Sequence, residues 1–158
     1  MRNKLLYVIA IIVFLVDLFS KFLIVDLFKY NKSVTIIKSF FYINYVKNRG
    51  GAFSMLDGNV LFIIIVTIVI FFFIFKYLMG RNLNLLEKWG YGLIIGGAFG
   101  NLFDRVVYGY VIDFLDFYIF KYDFPVFNIA DCGIVIGVLL IILYSVKFED
   151  GDKVEVKS

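Results

Sequence analysis

The sequence predicts an all-α membrane protein: four transmembrane helices with a small extracytoplasmic β region. Three observations predict it. Apolar residues make up 62% of the 158 positions and charged residues 18%, against ~45–50% and ~25% in soluble domains. Four apolar runs, at about 5–25, 60–79, 89–105 and 129–146, divide the chain, and a hydrocarbon core of ~30 Å takes ~17–25 helical residues to cross. Between the first two runs, residues 33–47 read SVTIIKSFFYINYVK, a β-branched and aromatic stretch that suits a strand better than a helix.

In chain order, the first run follows Arg2 and Lys4 as a signal peptide would. No small-residue cleavage site follows it and three further spans do, so it is expected to stay as a first helix. It carries Asp17 and Lys21 one turn apart. The β region runs on to about residue 57. The second run is apolar throughout. The third, WGYGLIIGGAFGNLF, is short and Gly-rich and reaches the polar boundary only through Asp104 and Arg105. Its Gly92, Gly96 and Gly100, with Gly133 and Gly137 of the fourth run, predict close packing between spans three and four. Residues 106–127 hold nine Tyr and Phe and read as an interfacial aromatic loop. Residues 147–158 form a polar tail.

An even number of spans puts both termini on one side of the membrane. Lys and Arg divide evenly between the two sides, but their density in the short 80–88 loop places the termini in the cytoplasm. There is one Cys and no His. That excludes an intrachain disulfide and a Ser-His or Cys-His nucleophile, and it argues against a zinc site. No metal and no cofactor is expected. A net charge of +3 without a basic stripe gives nucleic acid nothing to bind. The expected surroundings are membrane lipids, and the expected state is a monomer.

Polar residues gather at the outer boundary: Asp17 and Lys21; Asn48, Arg49 and Gly50; Asn101, Asp104 and Arg105; Asp113 and Asp116; Asn128 and Asp131. Taken singly, each has an ordinary explanation. Asp17 and Lys21 suit an ion pair, Asp104 and Arg105 a wet helix end, and Asp131 the positive N-terminus of a helix. Their convergence at one depth is what points to function, because ionisable groups in a membrane are costly and face an interior. Two carboxylates without His or metal can run aspartic proteolysis. They share one proton, one activating water and the other polarising the scissile carbonyl. Asp131 is one candidate. Asp104, Asp113, Asp116 and Asp123 all remain open as its partner.

Five stretches carry a resemblance: DLFSK (17–21), NRGGAFS (48–54), GAFGNLFDR (97–105), VIDF (111–114) and FNIAD (127–131). In this order the chain resembles bacterial signal peptidase II, the lipoprotein signal peptidases, over nearly its whole length. The resemblance implies a four-span aspartic endopeptidase of the bacterial cytoplasmic membrane, with its site at the outer leaflet and an extracytoplasmic β-cradle. Its substrates would be lipid-modified prolipoproteins, cut just before the diacylglyceryl-Cys. It puts the catalytic pair on Asp113 and Asp131, with Asp17, Asn48, Asn101, Arg105 and Asn128 in support. Lys21, Gly50 and Asp104 are counted with them as neighbours in the same motifs. Ser20, Gly51 and Cys132 stand where the family more often has Thr, Ala and Ser. Two rival readings are a Ser–Lys protease using Ser20 or Ser54, and a small proton-coupled carrier. Adjacency of Ser20 and Lys21 disfavours the first, and the position of the charges near span ends disfavours the second.

Overall fold

The computed structural model describes residues 3–28, 33–51, 58–119 and 122–155. Four helices, α1 (Lys4–Leu27), α2 (Val60–Leu78), α3 (Leu85–Tyr108) and α4 (Ile129–Glu155), form the bundle. Four strands, β1 (Ser33–Ile37), β2 (Phe41–Asn48), β3 (Val111–Ile119) and β4 (Tyr122–Asp123), sit at one end of it. The helices α1, α2 and α4 are long and apolar enough to cross a membrane. Their apolar side chains point outward, as Ile11, Phe19, Phe22, Leu61, Phe72 and Leu143 show, the reverse of a soluble protein. The helix α3 is 24 residues long but carries Glu87, Lys88, Asp104, Arg105 and five glycines.

The centre of the bundle is α3, and its glycines explain why. A Cβ at Gly92 would lie 2.8 Å from Ile9, one at Gly96 would lie 2.9 Å from Val13, and one at Gly100 would strike the Asp17 carboxylate. This row therefore seats α1, and the partner numbers rise together, so α1 and α3 run parallel. A second row seats α4: a Cβ at Gly90 would meet Ile141 at 2.6 Å, and one at Gly97 would strike the Ala130 carbonyl. Here the numbers run oppositely, so α4 is antiparallel to α3. The close packing of α3 with α4 exists, but Gly92, Gly96 and Gly100 do not make it; they face α1. Gly90 lies two residues, about 200° of helix rotation, from Gly92, so the two rows serve two neighbours. Against these, α2 is peripheral, with Phe71 its one buried residue.

At one end of α3, Asn84 and Glu87 form a reciprocal capping box, which satisfies two orphan N–H groups. At the other end Gly109, at φ 74°, takes the left-handed C-cap conformation and turns the chain into β3. Residues 106–127, expected as a loop, thus contain a nine-residue strand. VIDFLDFYI is β-branched and aromatic, and a partner strand was what its reading lacked. The strands are antiparallel in the order β1-β2-β3-β4. Ile43 faces Leu115 and Val46 faces Asp113, so β2 carries one extra residue there, a bulge that re-aims its following side chains. Phe41 stacks on Phe117 at 4.4 Å, and Phe117 on Phe127 at 5.7 Å. Part of the aromatic content of this segment therefore packs the sheet.

One contact places the site. The Phe127 carbonyl accepts from the N–H groups of Phe114 and Leu115 at 2.9 and 2.8 Å, and Phe127 N–H donates back to Leu115. This bridge clamps the chain entering α4 onto β3 beside Asp113.

Candidate active site

A hydrogen-bonded cluster lies where α1, α3, α4, β2 and β3 meet. Asn128, fully buried, is its centre. Its side-chain N–H₂ donates to Asp113 Oδ1 at 2.6 Å and to Asn101 Oδ1 at 3.1 Å. Its Oδ1 accepts from the Asp131 N–H at 3.0 Å, and its own backbone N–H donates to Asp131 Oδ2 at 3.2 Å. One residue, three before Asp131 at the mouth of α4, thereby holds both carboxylates. Asn101 completes the link: its amide N–H₂ donates to Asp131 Oδ1 at 2.8 Å.

Asp113 receives a second amide. Asn48, at the end of β2, donates to Asp113 Oδ2 at 2.9 Å, while its own Oδ1 accepts from the Gly50 N–H at 2.9 Å. That short turn is held by Arg105, which donates to the Gly50 carbonyl at 2.8 Å and to the Asn101 carbonyl at 3.2 Å. Asp113 is 2% exposed. Burial pushes its carboxyl up to about 6, with the neighbouring Asp131 charge adding to the rise and the Asn48 and Asn128 amides opposing it. Desolvation disfavours the charged form, and a second carboxylate nearby does the same.

Beneath the pair lies an ion cluster. Lys21 Nζ contacts Asp17 Oδ2 at 2.8 Å and Asp104 Oδ2 at 2.9 Å, and it donates to Asn101 Oδ1 at 3.0 Å. An ammonium has three N–H donors, and these three partners use them. Asp17 Oδ1 accepts from the Ala130 N–H at 2.9 Å, and Asp104 Oδ2 from the Ile112 N–H at 3.1 Å. So Lys21 ties α1 to the start of α4, to the end of α3 and to the start of β3. Asn101 Oδ1 accepts from both Lys21 and Asn128, which leaves its amide nitrogen to face Asp131. The orientation of Asn101 is set by that count of donors.

Of the residues singled out from the sequence, Asp17, Lys21, Asn48, Gly50, Asn101, Asp104, Arg105, Asp113, Asn128 and Asp131 fall in this one network. Asp116 does not join it: its side chain takes the amide of Asn44. Arg49 is exposed. Ser20 donates to the Asp17 carbonyl at 2.7 Å, a bond within its own helix. Ser54 and the side chain of Asp123 lie outside the described residues. Sequence reading missed the Ala130 N–H that Asp17 caps, the seat at Gly97, Asp17 as the neighbour of Gly100, and the Asn44–Asp116 pair. Backbone donors and helix faces leave no mark in a motif, although Gly97 and Gly100 sit inside GAFGNLFDR.

A family model for signal peptidase II matches residues 9–147, a span that contains every residue of this network.

The chain belongs to the signal peptidase II family.

Membership assigns it to the proteases that remove signal peptides from prolipoproteins. The lipoprotein signal peptidase of Halothermothrix orenii is 46% identical over 139 residues, which cover 87% of this chain and 92% of that one. That of Nostoc punctiforme is 40% identical over 146 residues, covering 92% and 91%. A bacterial membrane enzyme solved by the in meso method at 2.3 Å resolution superposes with a TM-score of 0.80 at 38% identity, over 89% of this chain and 86% of that one. The signal peptidase II chain described here is thus a bacterial membrane protein built on the same fold.

Proposed function

We propose that this signal peptidase is an aspartic endopeptidase whose dyad is Asp113 and Asp131, cutting the diacylglyceryl-modified prolipoprotein just before its lipidated Cys. The observation that carries the reading is Asn128, which grips both carboxylates at once. Asp113, with its carboxyl raised to about 6 by burial, is the member that takes the shared proton as pH falls toward that value. Asp131 lies in the first turn of α4, where the helix N-terminus favours negative charge, and is better placed to be the anion.

The anionic carboxylate takes a proton from water as the hydroxide oxygen bonds to the scissile carbonyl carbon. The protonated carboxyl donates a hydrogen bond to the carbonyl oxygen as negative charge builds there. Collapse of the tetrahedral intermediate breaks the C–N bond, and the proton held by the dyad passes to the leaving amine. Asn48, Asn101 and Asn128 keep the two carboxyl groups in place, and Arg105 holds the Gly50 turn beside them.

The helix α3 serves as a fourth span, with both termini in the cytoplasm and the dyad at the outer leaflet. Support comes from helix directions: α1 and α3 parallel with α4 antiparallel put Lys4 and the end of α4 at one end of the bundle and the polar network at the other. The enzyme works as a monomer, with the substrate's lipid in the bilayer. Asp113→Asn and Asp131→Asn, each tested on a lipidated preprotein, decide the dyad; normal processing by either variant would refute it. An unlipidated preprotein tests the substrate class, and its cleavage at an equal rate would remove the lipid from the recognition.

A further inference from the structure

A groove of about 620 Å³ opens between α1, the end of α3 and the start of β3. This volume falls within the ~300–1,000 Å³ usual for small-molecule sites. One wall is a stripe of α1: Leu15, Leu18, Phe19, Phe22 and Val25. At ~1.5 Å per residue the stripe is roughly 15 Å long, about half of a ~30 Å hydrocarbon core, and so one leaflet deep. Its inner wall contains Lys21 and Asp104, in contact at 2.9 Å, with Asp17 as the second carboxylate on Lys21. Neither Asp113 nor Asp131 lines it.

The upper end is different in character. Tyr45 and Tyr110 line it, their hydroxyls 3.3 Å apart. Over them stands Lys47, exposed, with its ammonium 4.9 Å from the Tyr110 ring centre and 5.8 Å from that of Tyr45. The groove therefore joins an apolar, leaflet-deep slot to a cation and two phenols at the interface. Acyl chains need the first and a phosphate the second.

We propose that this groove binds an anionic phospholipid of the bilayer, with an acyl chain along Leu18, Phe22 and Val25 and the phosphate at Lys47. The inner wall is the Lys21–Asp104 pair, and Asp104 also holds the Ile112 N–H next to Asp113. A lipid seated here props the start of β3 at Ile112, next to Asp113.

The test is native mass spectrometry of the full chain in detergent, titrated with dioleoyl phosphatidylglycerol or dioleoyl phosphatidylcholine. One lysine near the interface is worth ~1 kcal/mol, so the anionic lipid binds roughly fivefold tighter. Lys47→Gln, at an exposed position, abolishes that preference but not binding. Val25→Trp, also exposed, fills the slot and reduces binding of both lipids. Equal affinity for the two lipids overturns the proposal, as does a preference that survives Lys47→Gln or binding unchanged by Val25→Trp. One-for-one displacement of the phospholipid by a diacylated preprotein also overturns it, by assigning the groove to substrate. Proteolysis is not read in any arm, so failure here is distinct from failure of the dyad.

Discussion

Replacing Asp113 by Asn separates catalysis from stability, and in opposite directions. The folded-state carboxyl stands at about 6 against an ordinary 3.8. The native state thus binds this proton more tightly than the unfolded chain. The stabilisation is full below about pH 4 and is lost as pH rises through about 6, so above that the ionised, buried Asp113 destabilises the fold. At ~1.36 kcal/mol per pKa step, the penalty is about 3 kcal/mol. Asn removes the charge. It also keeps only one acceptor oxygen, so one of the two amide donors, from Asn48 or Asn128, is left facing an N–H₂ group, at about 1 kcal/mol. The net expectation at pH 8 is a variant about 2 kcal/mol more stable than the parent. The gain becomes a loss of about 1 kcal/mol at pH 4, where the parent carries a proton. Thermal unfolding of the purified chain in detergent between pH 4 and 8 measures it. Processing of a lipidated preprotein by the same preparation should fall by at least roughly 10³-fold, since a single carboxylate cannot act as both acid and base. A stability difference that does not change sign with pH would refute the electrostatic argument. Retained processing would refute the catalytic one.

Asp131→Asn should abolish processing just as fully, while substrate binding, followed by co-purification of uncleaved prolipoprotein, persists. Lys21→Met leaves Asp17, Asp104 and Asn101 without their cation and should destabilise the fold by about 3–5 kcal/mol; adding Asp17→Asn and Asp104→Asn should restore part of the melting midpoint. Gly97→Val puts a side chain into the Ala130 carbonyl, so α3 and α4 must separate and both stability and processing should fall; Gly58→Ala, with open space around it but φ at 82°, should cost stability only. Cys132 is half-buried next to Asp131, and Cys132→Ser should leave processing unchanged, which a thiol-dependent enzyme would not tolerate.

The membrane class, the helices near 5–25, 60–79 and 129–146 and the strands of 33–47 were legible in the sequence because each rests on local composition. Apolar length makes α1, α2 and α4, and β-branched and aromatic density makes β1 and β2. The strand at 111–119 was read as loop, because a strand is stabilised by its partner, and Val46 opposite Asp113 belongs to a pairing across more than sixty residues. Glycine spacing announced close packing without naming the neighbour: Gly92, Gly96 and Gly100 turned toward α1, and Gly90 and Gly97 toward α4. Absence of His and the surplus of Asp limited the chemistry to carboxylates, and the family motifs singled out Asp113 and Asp131. Only the tertiary structure decided why those two are neighbours. The Phe127 bridge to β3 brings the mouth of α4 onto the strand, and Asn128 then reaches both carboxylates. Lys21 shows the same division. Its sequence neighbour Asp17 was visible one turn away, whereas Asp104 and Asn101, eighty residues on, meet it only because α1 and α3 pack in parallel across glycines.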